Sequence, residues 1–132
     1  MNSVQAGRPG PAKLFLAIVQ IIPLVVVLQA VLIGVGLYEK RDFVDVHAWV
    51  GFLGSILVVI ILPALVFAAR FPASSGYRRL TLVLAGLWLF QFLIGPDIKD
   101  MPWIAPIHIP NAFFIFGVSL VLAMRARRDR SA

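Results

Sequence analysis

The sequence contains no cysteine and only a small share of charged residues. The absence of thiols excludes structural disulfides, thiolate-bound zinc, iron–sulfur clusters and covalently attached c-type haem. Charged residues make up 14% of the chain, whereas a soluble domain usually has about 25%. There is also no Gly-rich phosphate loop and no nucleophile elbow. The sequence therefore favours no catalytic activity for the chain on its own.

Apolar residues make up 61% of the 132 residues, and they are concentrated in four runs at about 14–37, 44–69, 80–98 and 103–124. A soluble domain of this length cannot bury so much apolar surface, whereas a lipid bilayer can cover it. A membrane-spanning helix needs about 20 apolar residues. The runs are continuous and do not alternate, which excludes a membrane β-barrel. The sequence predicts an all-α membrane protein, a bundle of four transmembrane helices with antiparallel neighbours.

Lysine and arginine are distributed asymmetrically between the two sides of this bundle. One side carries nine of the twelve cations: Arg8, Lys13, Arg70, Arg78, Arg79, Arg125, Arg127, Arg128 and Arg130. The positive-inside rule places that side in the cytoplasm. The prediction is a multi-pass protein of the bacterial inner (plasma) membrane, with a polar cytoplasmic leader at 1–13, a bundle at 14–124 and a basic cytoplasmic tail at 125–132. Because the cations lie at the ends of apolar runs, no nucleic-acid binding is expected.

Two segments of the sequence resemble each other and indicate a duplicated helical hairpin. Leu-Ile-Gly ends at Gly34 in the first span and at Gly95 in the third, and a histidine follows thirteen residues later in each case. These residues, His47 and His108, are the only two histidines of the chain. Two hairpins of the same topology are related by a pseudo-twofold axis along the membrane normal. The axis would bring both histidines to the same depth, near the outer surface.

Two opposed imidazoles in a helix bundle are typical axial ligands of a b-type haem. From His47 the same helix face continues to Gly51 and Gly54, and these small residues leave room for a porphyrin edge or for a close helix. The haem propionates would point outward, where a carboxylate needs a cation. The candidate partners are the three cations of the outer side: Lys40, Arg41 and Lys99.

Other interpretations of these residues stay open at this point. The histidines could hold a zinc or copper ion with help from Asp45 or Glu39, or they could be polar residues at the headgroup level without any site. Trp49 and Trp103 could flank a macrocycle or act as interfacial anchors. Three glutamines fit either interhelical hydrogen bonds or quinone binding: Gln20, Gln29 and Gln91.

The motif DVHAWVGFLG, which opens the second span, and IHIPNAFFIFGVSLVLAMRARR, which forms the fourth, resemble small bacterial four-helix membrane proteins with two histidines. They also resemble one half of haem A synthase, in which each four-helix bundle offers a histidine at the outer end of its second and fourth helices. The resemblance implies axial ligation by His47 and His108. The chain departs from that family in its single pair of histidines and in Val44, which stands where the family has its catalytic glutamate. The resemblance therefore does not extend to haem hydroxylation.

These observations lead to two function hypotheses of different classes. The first is a membrane b-type cytochrome-like protein with one haem between His47 and His108 near the periplasmic face. It would serve in electron transfer, or hold a structural haem, with a quinone or a larger redox complex as partner. The alternative is a non-catalytic accessory subunit of a respiratory or photosynthetic complex without its own cofactor. A transporter or channel is disfavoured, because the spans carry no charge in their central turns.

Overall fold

The computed structural model describes residues 10–95 and 105–131. Within these ranges the chain forms four long helices, namely α1 (Gly10–Tyr38), α2 (Asp42–Ala68), α3 (Tyr77–Ile94) and α4 (Ala105–Ser131). A short 3-10 turn, Ala73–Ser75, precedes α3. All four helices are long and apolar enough to cross a membrane. The prediction of an all-α bundle of four membrane-spanning helices is confirmed.

Two of the helices extend beyond their predicted spans. Helix α1 already begins at Gly10, inside the predicted leader, with Pro11 in its first turn, where a missing N–H costs nothing. Helix α4 continues through the predicted basic tail to Ser131. Helix α3 has 18 residues and therefore rises about 27 Å. The predicted extension of the third span over 96–98 and the start of the fourth at 103 lie outside the described residues.

The helices are arranged so that each has two main neighbours. Helix α1 packs against α2 and α4, and α3 packs against the same two helices. Helices α2 and α4 are therefore diagonal partners, as are α1 and α3. Neighbours run antiparallel, since Gln20 near the start of α1 bonds to Ala123 near the end of α4. We call the end with His47 and His108 the histidine end and the opposite end, with the start of α3 and the last turns of α4, the arginine end.

Helix α2 changes its hydrogen-bond pattern in the middle of its span. Ile56–Ile61 form a π-helical segment, and the N–H of Leu62 bonds to the carbonyl oxygen of Leu57, five residues back. Pro63 follows directly and has no N–H to donate. A widened turn before a proline makes room for its ring without breaking the helix. Helix α2 therefore remains one continuous element over its full length.

The packed core lies mainly toward the arginine end. Its side chains recur at helical spacing on the inward face of each helix, as in Val58, Leu62 and Val66 of α2, which are at most 1% exposed. The outward faces are apolar and exposed: Phe113, for example, is 72% exposed. Such a surface is stable only in contact with lipid.

Candidate functional site

His47 lies near the start of α2 and is half-buried. Its Nδ1 donates a hydrogen bond to the backbone carbonyl oxygen of Gln29 on α1, at 2.9 Å. Because a carbonyl oxygen only accepts, the proton of a neutral ring is on Nδ1 and the lone pair is on Nε2. A histidine whose Nδ1 is held by a carbonyl in this way is oriented for metal ligation through Nε2.

His108 lies in the first turn of α4 and is also half-buried. Its ring packs against the end of α3, where Cε1 is 3.7 Å from the position that a Cβ on Gly95 would take. The Nδ1 atom of His108 is buried and has no hydrogen-bond partner among the described residues. A buried polar atom without a partner is rare in native structures, so this nitrogen is a candidate for contact with a ligand.

The two histidines lie at one level of the bundle. Helices α2 and α3 are in register at Gly54, which faces Trp88. Seven residues from this point toward the histidine end are His47 on α2 and Gly95 on α3, and His108 packs against Gly95. The histidines thus lie at one level on diagonally opposed helices.

Neither protein-family models, nor curated proteins, nor solved structures provide a match to this chain. The resemblance to haem A synthase remains a prediction from the motifs around His47 and His108.

The two glycines next to His47 accommodate side chains of the neighbouring helices. A Cβ on Gly51 would lie 2.9 Å from Nε2 of Gln29, and a Cβ on Gly54 would lie 2.6 Å from Cζ2 of Trp88. Of the two roles considered for these glycines, close packing is the one that the structure displays. A porphyrin edge could enter beside α2 only if the side chains of Gln29 and Trp88 gave way.

The candidate propionate partners lie on the rim of the histidine end. Lys40 and Arg41 are exposed in the turn between α1 and α2. Their carbonyl oxygens accept hydrogen bonds from the N–H groups of Phe43 and Val44, which fixes the start of α2 next to this turn. Lys99 lies outside the described residues, as does Trp103.

Trp49 lies on the outer surface of α2 and is 66% exposed. Its ring meets the edge of the Phe52 ring, with 6.0 Å between the centroids. Together with Asp45 and Ala48 these residues line a shallow groove of about 450 Å³. Of the two roles considered for Trp49, the outward position agrees with an interfacial anchor.

Asn111 is the member of this region whose role could not be read from the sequence. Its Nδ2 donates to the carbonyl oxygen of Leu87 at 3.0 Å and to Oε1 of Gln91 at 2.6 Å, which joins α4 to α3. The only sequence signal was its position three residues after His108, on the same helix face. Gln91 therefore takes part in interhelical hydrogen bonding, one of the two roles considered for the glutamines.

The other two glutamines differ from each other. Gln20 lies in the arginine-end half of α1, where its Nε2 donates to Ala123 and its Oε1 accepts from Nε of Arg127. Gln29 lies beside His47, and its Oε1 is buried without a partner among the described residues. Three buried side-chain polar atoms have no hydrogen-bond partner among the described residues. Two of them, in Gln29 and His108, lie at the histidine end, and the third is Oγ1 of Thr81.

Proposed function

We propose that the protein is a b-type cytochrome-like membrane protein that binds one haem between His47 and His108. The observation that carries the proposal is the pair itself: two half-buried imidazoles at one level, on diagonally opposed helices. His47 on α2 and His108 on α4 would hold the haem from opposite sides. This arrangement requires ligands on helices that do not pack directly against each other, which is what α2 and α4 provide.

The number of ligands favours haem over a free metal ion. A zinc or copper ion normally needs three or four protein ligands. The described residues contain no group of three or more histidine, cysteine, aspartate or glutamate side chains that could hold one. A porphyrin brings four nitrogens of its own and leaves two axial positions. Two histidines without further ligands are therefore a sufficient donor set for haem.

The surroundings of the two rings also support an occupant. The hydrogen bond from His47 to Gln29 leaves Nε2 available to a metal. Oε1 of Gln29 and Nδ1 of His108 are buried without partners among the described residues, so both atoms are candidates for contact with a bound group. The side chains of Gln29 and Trp88, which cover Gly51 and Gly54, are those that would have to move.

When bound, a bis-histidine haem supplies one-electron transfer. The residues of this chain would hold it at the end of the bundle that the distribution of cations assigns to the periplasmic face. Lys40 and Arg41 lie on the rim of that end and would pair with the propionates. The electron partner would be a quinone or a larger redox complex in the same bilayer.

The test is an absorption spectrum of the detergent-purified protein after expression with ample haem, first oxidised and then reduced with dithionite. We expect a sharp Soret band and an α-band on reduction. His47→Ala and His108→Ala should each abolish the low-spin spectrum. Ser119→Ala is the matched control, because Ser119 is a buried polar residue of α4 that bonds only within its own helix, to Phe116.

A colourless wild-type protein that also takes up no added hemin would contradict the proposal. So would a low-spin spectrum that persists in both histidine variants. Either result would leave the accessory subunit without a cofactor as the better account. In that case the histidines would serve as polar residues of the interface between the bundle and the headgroups.

A further inference from the structure

A second candidate site lies at the arginine end, far from the histidines. The 3-10 turn, the start of α3 and the last turns of α4 form a shallow, open cavity of about 310 Å³ there. It is lined by two cations, one carboxylate and two hydroxyls: Arg125, Arg128, Asp129, Ser75 and Tyr77. Its volume is at the lower end of the range of small-molecule pockets, about 300–1,000 Å³. The cavity is thus large enough for a lipid headgroup.

Arg125 is held in a fixed position at this cavity. Its Nη1 donates to the carbonyl oxygen of Ser75 at 2.9 Å. A Cβ on Gly76 would lie 2.5 Å from the same nitrogen, and Gly76 has a positive φ of 70°. Only a glycine allows both this backbone conformation and this close approach. The guanidinium therefore rests directly on the backbone from which α3 begins.

The start of α3 has an unusual charge pattern. The first turn has no acidic residue, although a helix N-terminus carries a partial positive charge that favours anions. Its N-cap residue is Gly76, and Oγ of Ser75 accepts a hydrogen bond from the N–H of Tyr77 at 3.4 Å. The first turn instead contains Arg78 and Arg79. The guanidinium of Arg78 lies over the Phe67 ring of α2, with its Cζ 5.6 Å from the ring centroid. Both arginines add positive charge to the arginine end of the bundle, but neither lines the cavity.

The cavity lining contains one carboxylate beside its two guanidinium groups. Asp129 accepts a hydrogen bond from the hydroxyl of Tyr77 at 2.9 Å, and the Tyr77 side chain is 1% exposed. The carboxylate is therefore tied to the core side of the cavity. The two arginines of the lining still leave one net positive charge, so the cavity favours a ligand with net negative charge over a zwitterion.

The apolar surface beside the cavity distinguishes a phospholipid from a free anion. On α4, Met124 directly precedes Arg125 and is 48% exposed, and Val121 is one turn further into the span and 44% exposed. A free phosphate gains nothing from such a surface. A phospholipid places its phosphate at the level of the helix ends and its acyl chains along the exposed apolar side chains below.

From this combination we infer that the cavity between α3 and α4 binds the phosphate group of an anionic phospholipid, with its acyl chains along the Met124 side of α4. The guanidinium groups of Arg125 and Arg128 provide charge-assisted hydrogen bonds to the phosphate oxygens, and basic pockets between helices are known to recognise such headgroups. The inference is independent of haem binding, because it concerns the opposite end of the bundle.

The experiment is native mass spectrometry of the purified full chain, titrated separately with phosphatidylglycerol and phosphatidylcholine of the same acyl composition. We expect phosphatidylglycerol to bind about tenfold more tightly, since each basic contact strengthens anionic lipid binding several-fold. Equal binding of the two lipids would overturn the inference. Inorganic phosphate in large excess should not displace the bound phosphatidylglycerol; complete displacement would mean that the cavity recognises a free anion and not a lipid.

Variants locate the binding to the cavity. Arg128→Gln should abolish most of the preference for phosphatidylglycerol, whereas Lys13→Gln, which removes the same charge at the arginine end outside the cavity, should keep it. Asp129→Asn removes the carboxylate charge but still offers an acceptor to Tyr77, and it should bind phosphatidylglycerol about fivefold more tightly. A gain of this kind does not result from misfolding. An unchanged preference in both cavity variants, or an equal loss in Lys13→Gln, would show that the lipid binds elsewhere.

Discussion

The Nδ1 of His47 donates a hydrogen bond to the backbone carbonyl oxygen of Gln29, at a distance of 2.9 Å. This bond joins the start of α2 to the histidine end of α1, and it determines which ring nitrogen is available to a ligand. The structural role of His47 and its proposed ligand role therefore reside in different atoms of the same ring. Substitutions can separate the two roles.

His47→Asn is expected to separate them. An asparagine amide can take the place of Nδ1 and donate to Gln29, but it has no counterpart of Nε2 for haem iron. The variant should retain the thermal stability of the haem-free protein and lose the low-spin spectrum, whereas His47→Ala should lose both. The hydrogen bond accounts for about 1 kcal/mol. Haem spectra and apparent Tm at a fixed heating rate measure the two effects, and a low-spin spectrum in His47→Asn would exclude His47 as a ligand.

Gly54→Ala should destabilise the bundle. The new methyl group would lie 2.6 Å from the indole of Trp88, which is only 6% exposed. Overpacking of this kind costs about 1–3 kcal/mol. Gly86→Ala is the matched control, because a Cβ on Gly86 meets nothing within 4 Å. The free energy of unfolding of both variants is measured in mixed micelles. Equal values would contradict the contact between Gly54 and Trp88.

Asn111→Leu should weaken the packing of α3 against α4. The variant removes the hydrogen bonds to Leu87 and Gln91, and interhelical hydrogen bonds in membranes average about 0.6 kcal/mol each. Thr81→Val provides the contrast, because the Thr81 hydroxyl is buried without a partner among the described residues. Its replacement by a methyl group of similar shape should be neutral or stabilising. A loss of stability in Thr81→Val, with none in Asn111→Leu, would mean that the Thr81 hydroxyl stabilises the bundle and the hydrogen bonds of Asn111 do not.

The orientation of the chain in the membrane is open to a direct measurement. Because nine of the twelve cations lie on the side of the chain ends, a green fluorescent protein fused after residue 132 should fluoresce. Alkaline phosphatase at the same position should be inactive, since it is active only in the periplasm. Phosphatase fused after residue 41, between the first two helices, is the positive control. An active phosphatase at the C-terminus would invert the topology and place the histidine end in the cytoplasm.

Most of the fold could be predicted from hydropathy alone. Four continuous apolar runs in a chain of 132 residues admit few arrangements, because every backbone polar group in lipid must be satisfied within its own helix. The short connections then require antiparallel neighbours. The start of α1 and the end of α4 were harder to predict. Helix α1 begins at Gly10 and α4 continues beyond Met124 to Ser131, over polar residues that hydropathy does not assign to a span.

The sequence by itself determined that the chain is a four-helix membrane protein, and the spacing of His47 and His108 already indicated one level for both. Only the tertiary structure decided which atoms meet. It directed Nδ1 of His47 to Gln29, left Nδ1 of His108 without a partner among the described residues, and filled the space at Gly54 with Trp88. The physical reason is that hydropathy fixes only how deep a residue lies. The rotation of each helix and the side chains it meets depend on packing against neighbours that are distant in the sequence.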